Sequence, residues 1–258
     1  MTVYFIGAGP GAADLITVRG ARLLAGCRTC LYAGSLVPAQ LLELLSAGAE
    51  TVDTARMPLP EIIDRMAAAD AAGHDVARLH SGDLAIYSAL TEQVRRLRER
   101  GIAYELVPGV PAFAAAAAAL DTELTVPGVG QSLLITRVST LSTDMPPGED
   151  LSSLAATGVT LALHLAAHRT EQIVDALTPS YGADCPTATV AFASRDDQQI
   201  VRAPLAQLPQ ALAAAGITKT AVIFVGRVLD PADSGATDSY LYSQARMTKL
   251  RRDAGAHD

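Results

Sequence analysis

The glycine turn near the start of the chain constrains the fold most. Residues 2–6 (Thr-Val-Tyr-Phe-Ile) read as a buried strand, Gly7-Ala8-Gly9-Pro10-Gly11 as a tight turn, and Asp14 to Ala25 as a helix. Strand, glycine turn and helix suggest a dinucleotide fold, and Gly7, Gly9 and Ala12 satisfy its loose G-x-G-x-x-G/A spacing. Such a site also needs an acidic residue at the end of the second strand to hold a ribose. The chain offers Tyr32-Ala33-Gly34-Ser35-Leu36-Val37 there instead. Pro10 further removes one amide from any phosphate cradle. The turn therefore points to a ligand other than NAD.

The alternation continues through the first half. Strands are expected at 29–32, 50–53, 75–80 and 103–107, and helices at 15–25, 38–47, 59–72, 87–100 and 111–120. Ile62, Ile63, Met66 and Ala69 give one apolar helical face, while Val76, Leu79 and their neighbours read as a buried strand. A break follows at Val126-Pro127-Gly128-Val129-Gly130-Gln131. The second half has expected strands near 132–136, 159–165, 187–193, 199–203 and 221–226, with helices near 149–156, 169–178 and 204–215. Asp196-Asp197 reads as a hairpin turn, so this second sheet is expected to be mixed. The expected architecture is two α/β domains with a ligand cleft between them: residues 1–112, then 113–232, then a polar tail at 233–258 with partial order at most.

Charge narrows the classes of partner. The net charge is −7 and no basic stripe is present, which argues against nucleic acid. Among 20 basic residues only Lys219 and Lys249 are lysines, and the abundant arginines suit a polycarboxylate ligand, since Arg grips carboxylates bidentately. The run Arg95-Arg96-Leu97-Arg98-Glu99-Arg100 reads as a solvated helix end. The longest apolar runs are too short to span a bilayer and no secretory signal opens the chain, so a cytoplasmic protein is expected. Cys27 and Cys30 form a C-x-x-C where a helix ends and a strand begins; with no second pair they read as packing residues.

Three strand-to-loop junctions of the first half carry the chemistry: Gly7 to Gly11, His80-Ser81-Gly82-Asp83-Leu84-Ala85-Ile86-Tyr87, and Val107-Pro108-Gly109-Val110-Pro111-Ala112. All three fall at the carboxyl edge of one sheet, where open α/β folds bind ligands. Glycines there let a ligand approach the backbone. Asp83 is either a fixed negative charge for a cationic ligand or a helix N-cap.

The combination Gly7-Ala8-Gly9-Pro10-Gly11, Ser81-Gly82-Asp83 and Pro108-Gly109 resembles the tetrapyrrole methylase superfamily, which uses S-adenosylmethionine. Leu15-Ile16-Thr17-Val18-Arg19-Gly20 and the Tyr32 to Val37 run narrow the resemblance to precorrin-4 C11-methyltransferases of cobalamin synthesis, including the cobalt-precorrin-4 enzymes. The likeness runs from residue 2 to about 230. It departs from the family at Ala12-Ala13-Asp14, at Leu84 after Gly82-Asp83, and at Pro111.

The resemblance implies a homodimer of two-domain subunits that transfers a methyl group to a ring carbon of a tetrapyrrole, with no metal. Its implied cofactor contacts are Pro10, Ser81, Gly82, Asp83, Ile86, Pro111 and Ala112, then Leu165, Ala193 and Ala221. Candidate substrate contacts are Gly9, Gly11, Tyr32 and Ser35, with Arg56, Arg137 and Arg195 as carboxylate clamps. The residues name no general base. His164 and His168 stand four apart, but His164 lies in a strand-like run where that spacing does not converge on a metal. Two other readings stay open: another superfamily member, such as a uroporphyrinogen methyltransferase or an rRNA ribose methylase, and a dinucleotide-binding module without catalysis.

Overall fold

Val3–Gly7 (β1) and Val76–His80 (β4) carry apolar side chains on both faces and are buried almost throughout, as central strands of a two-sided sheet must be. A computed structural model of the protein describes residues 1–139, 144–230, 237 and 239–254. Around β1 and β4 stand Thr29–Tyr32 (β2), Glu50–Asp53 (β3) and Tyr104–Val107 (β5), in the order β3-β2-β4-β1-β5, all parallel. One face packs under Val18–Gly26 (α1) and Ala39–Leu42 (α2), where Leu24 and Leu41 meet Ile6, Ala77 and Leu79. The other packs under Leu59–Ala71 (α3) and Leu90–Glu99 (α4), where Ile63, Met66 and Leu97 meet Val3, Phe5 and Val76.

Local chemistry explains the helix ends. Thr17 caps α1 by accepting a hydrogen bond from the Gly20 amide at 3.1 Å. Gly20 itself lets α1 lie close on β1, since an added Cβ would stand 2.9 Å from the Ile6 side chain. The helix expected from 87 begins only at Leu90, because Tyr87 and Ala89 take left-handed φ angles of 51° and 52° that no α-helix contains. The helix expected over 38–47 shrinks to the single turn of α2.

A second sheet has the order β6-β7-β10-β8-β9, built from Leu133–Arg137 (β6), Thr160–His164 (β7), Pro186–Ala191 (β8), Gln199–Pro204 (β9) and Ala221–Val225 (β10). Only β6 and β7 run parallel; β10 is antiparallel to β7 and β8, and β9 to β8, so the sheet is mixed. Leu151–Ala155 (α6), Thr170–Tyr181 (α7) and Leu208–Ala214 (α8) complete this half, which the chain enters through Ala112–Ala119 (α5). Leu161, Leu163, Ile223 and Phe224 are sealed in its core.

Two compact units result: Met1–Ala116 with Phe192–Gln198, and the chain from Ala117 to Ala191 together with that from Gln199 onward. The sequence boundary at 112 thus differs by four residues, and the loop 192–198, placed with the second domain from sequence, belongs to the first unit. In the tail, residues 233–236, 238 and 255–258 lie outside the described residues, while Gln244–Ala254 forms a helix (α9) where partial order at most was expected. Among the described residues no helix is long and apolar enough to cross a membrane.

Candidate functional site

Strands β1 and β4 are neighbours whose following helices pack on opposite faces of the sheet. Their carboxyl ends therefore mark a topological switch point, where open α/β sheets bind ligands. The three glycine loops meet there, backbone against backbone. A Cβ on Gly109 would lie 2.2 Å from the Gly82 carbonyl oxygen and 2.7 Å from Gly7 Cα, and one on Gly7 would lie 2.5 Å from the Gly109 nitrogen. Gly9 and Gly82 exchange two backbone hydrogen bonds, of 3.2 and 2.7 Å. Only glycine at Gly7 and Gly109 admits this approach.

Asp83 locks the arrangement. One carboxylate oxygen accepts from the Ala85 amide and the other from the Gly109 amide, both at 2.8 Å. The side chain is thus a bridge between the loops after β4 and β5, a role that neither the N-cap nor the ligand-charge expectation described. Gly82, with φ at 69°, faces the backbone of Pro111 and Ala112, which lies 3.7–3.9 Å from where its side chain would begin. Ser81 is exposed; Pro10, Ile86, Pro111 and Ala112 are half-buried. Five of the implied cofactor contacts therefore stand on the loops after β4 and β5, Ala112 opens α5 directly behind them, and Pro10 stands on the turn bonded to them.

The first turn also borders a cavity of about 680 Å³, lined by Gly11, Asp14, Leu36, Val37, Ser194 and Arg195 among others. The Ala12 amide donates to Ser194 Oγ at 2.9 Å, and a Cβ on Gly11 would collide with the Arg195 side chain at 2.5 Å. Gly11 and Arg195 thus come together. Arg195 pairs with Asp197 at 3.0 Å and lies over the Phe192 ring. Tyr32 is half-buried at the end of β2, and its carbonyl accepts from both the amide and the hydroxyl of Thr54. Ser35 stands in a one-turn 3-10 helix at Gly34–Leu36. Arg56 is exposed on the loop after β3. Arg137, at the end of β6, donates to the carbonyls of Val138 and Asp144, so part of its hydrogen-bonding capacity is used locally.

In the second sheet the register Ile223↔Leu163 places the start of β10 beside the end of β7, and Ala221 pairs with Ala191 at the end of β8. Leu165 and Ala221 therefore share one edge. Leu165 (φ 53°), Phe192 (φ 52°), Ser194 (φ 65°) and Thr220 (φ 53°) all adopt left-handed backbone at or next to these strand ends. Such strain costs about 1–3 kcal/mol per residue and concentrates at ligand sites. It also ends β7 and β8 before the limits expected from sequence. Ala193 is buried, in the loop that belongs to the first unit.

A polar cluster that the sequence reading missed lies under the carboxyl ends of β2 and β3. Arg78, 6% exposed, donates from Nε to Gln93 Oε1 (3.1 Å) and from one terminal nitrogen to Thr54 Oγ1 (2.7 Å). Gln93 is held in turn by the Ala89 carbonyl and Thr54 by the Tyr32 carbonyl. No carboxylate lies within ion-pair distance of Arg78 among the described residues. Burial pushes its pKa down to about 10, so it stays charged at neutral pH. His80, two residues on, is also buried; burial and the Arg78 charge push it down to about 4, and it is neutral. The signal was present in Val76-Ala77-Arg78-Leu79-His80, an arginine and a histidine in an otherwise apolar strand.

The Cys27 and Cys30 thiols are sealed in the α1 face of the core and pushed up to about 12 by burial, which leaves them protonated. Among the described residues, no group of three or more His, Cys, Asp or Glu is arranged to hold a metal.

Comparison with known proteins matches residues 2–209 to the model of the Tetrapyrrole (Corrin/Porphyrin) Methylases. The chain belongs to the tetrapyrrole methylase family. A precorrin-4 C(11)-methyltransferase of Rhodococcus erythropolis is 62% identical over 246 residues, 95% of this chain and 98% of that protein. The X-ray structure of a cobalt precorrin-4 methyltransferase, a cobalamin biosynthetic enzyme, superposes with a TM-score of 0.87 at 39% identity, covering 89% of this chain and 96% of that one. A uroporphyrin-III C-methyl transferase from Thermus thermophilus, complexed with S-adenosyl homocysteine, gives a TM-score of 0.73 at 27% identity over 89% of this chain and 93% of that one. The tetrapyrrole methylase fold accounts for both sheets.

Proposed function

We propose that this tetrapyrrole methylase is an S-adenosylmethionine-dependent C-methyltransferase that methylates C11 of precorrin-4 to give precorrin-5 in cobalamin biosynthesis. The observation that carries the reading is the backbone-to-backbone meeting of Gly7, Gly82 and Gly109 at the β1–β4 switch point, locked by Asp83. It presents a wall of backbone and small side chains suited to a ligand held by main-chain contacts. The high identity to a protein named for this reaction supports the substrate. The greater identity to the relative named without cobalt, compared with the cobalt precorrin-4 structure, favours the metal-free macrocycle.

Pro10, Ser81, Gly82, Asp83, Ile86, Pro111 and Ala112 are the proposed cofactor contacts of the first unit, with Ala193, and Leu165 and Ala221 those of the second. When bound, the cofactor's sulfonium supplies an already activated methyl group. The protein's task is then to orient the donor and the nucleophilic ring carbon and to exclude water. Gly9, Gly11, Tyr32, Ser35, Arg56, Arg137 and Arg195 are the proposed substrate contacts, the arginines facing a ligand rich in acetate and propionate groups. The same reading places the protein in the cytoplasm as a homodimer that needs no metal.

Parallel calorimetry with S-adenosylhomocysteine and NAD tests the cofactor. Binding of S-adenosylhomocysteine alone is expected. Binding of NAD alone would overturn the methyltransferase reading in favour of a dinucleotide-binding module.

A further inference from the structure

Resting on the reading that the substrate is a polycarboxylate tetrapyrrole, we infer that Arg78 is a carboxylate-binding residue for one of its acidic side chains. Burying a cation is unfavourable unless a counter-charge compensates it. Arg78 is nine-tenths buried, yet its protein partners are two neutral oxygens, on Gln93 and Thr54. The neighbouring titratable groups supply no negative charge: His80 is neutral, and burial pushes the Cys30 thiol up to about 12.

The geometry is that of a fork fixed in advance. Nε and one terminal nitrogen are tethered, and each tether is anchored to main chain, at Ala89 and Tyr32. The second terminal nitrogen has no hydrogen-bond partner among the described residues and is not fully sealed by protein. His80 Nε2, on the same face of β4, is sealed and also without a hydrogen-bond partner among the described residues. The Thr54 and Tyr32 tethers place the guanidinium at the carboxyl ends of β2 and β3, the edge on which the Tyr32 to Val37 run begins. A pre-oriented arginine loses little freedom on gripping a carboxylate.

The test uses the full chain with Arg78→Lys, Arg78→Gln, Thr54→Val and Thr54→Ser. Readouts are S-adenosylhomocysteine affinity by calorimetry, thermal unfolding, and kcat and KM for precorrin-4. Losing a hydrogen bond to a charged group predicts a KM for precorrin-4 raised about tenfold to a hundredfold in R78Q. R78K should recover part of that loss, and S-adenosylhomocysteine affinity should stay within about twofold of wild type in both. A lowered melting temperature with unchanged KM would make Arg78 a purely structural residue and overturn the inference. If the Arg78 variants do not fold, the threonine pair decides. A raised KM in T54V that T54S restores supports the inference, and equal KM values in both overturn it. Failure of wild type to bind S-adenosylhomocysteine would instead count against the methyltransferase reading, independently of Arg78.

Discussion

Replacing Asp83 with asparagine separates two roles that look alike from sequence: holding loops together and holding a charged ligand. In the structure both carboxylate oxygens accept main-chain N–H groups at 2.8 Å, from Ala85 within its own turn and from Gly109 on the loop after β5. Asparagine keeps one acceptor and turns an N–H₂ group toward the other amide. One hydrogen bond to a charged acceptor is then lost, worth about 1.5–3 kcal/mol, and the remaining bond drops to neutral strength. Asp83 is half-buried, so solvent repairs part of the damage, and the expected loss of folding stability is about 2–3 kcal/mol. Urea denaturation measures it as a shift in midpoint at unchanged slope. Because the Gly109 amide leaves its anchor, S-adenosylhomocysteine affinity should fall in parallel. Stability within about 0.5 kcal/mol of wild type, combined with lost binding, would refute the reasoning and assign the carboxylate to the ligand.

Gly109→Ala should be more damaging, since its Cβ would stand 2.2 Å from the Gly82 carbonyl, backbone that cannot yield without breaking the Gly9–Gly82 pair; a variant that folds and turns over like wild type would show the three loops are not in contact. His80 predicts a pH dependence. Its pKa falls from about 6.5 to about 4 on folding, so the unfolded chain binds the proton first. Stability is then fully present above pH 6.5 and is lost as pH falls toward 4, by up to about 3 kcal/mol. Urea midpoints of His80→Gln should decline less steeply over that window, and an unchanged slope would contradict the burial of a neutral imidazole. Finally, Cys27 and Cys30 should resist iodoacetamide in the native protein at pH 8 and react once it is unfolded, as read by peptide mass; rapid native labelling would contradict their protonated, sealed state.

Strand and helix periodicity made most of the architecture legible. The Ile62, Ile63, Met66 and Ala69 face is buried as its spacing predicts, and the Asp196-Asp197 turn does join an antiparallel pair. Element ends were less legible because left-handed residues set several of them. Tyr87 and Ala89 delay α4, and Leu165 and Phe192 stop β7 and β8, without a glycine to announce any of these turns. The candidate site was legible as three glycine loops on one sheet edge, since parallel strands carry their following loops to the same side. What held the loops together was not. The Asp83–Gly109 bond spans 26 residues, and Arg78 reaches partners 15 and 24 residues away on α4 and after β3. Such links depend on which strands become neighbours, and the order β3-β2-β4-β1-β5 is not written in any local pattern. The sequence reading accordingly nominated arginines at strand ends and on loops and passed over Arg78 inside a strand.

The central claim is methyl transfer to one defined ring carbon. Incubating the purified protein with precorrin-4 and S-adenosylmethionine carrying a ¹³C methyl group, then locating the label by NMR, tests it most directly. The account predicts a single labelled methyl at C11. A label at another ring carbon, or labelled donor left unconsumed beside intact precorrin-4, would contradict it.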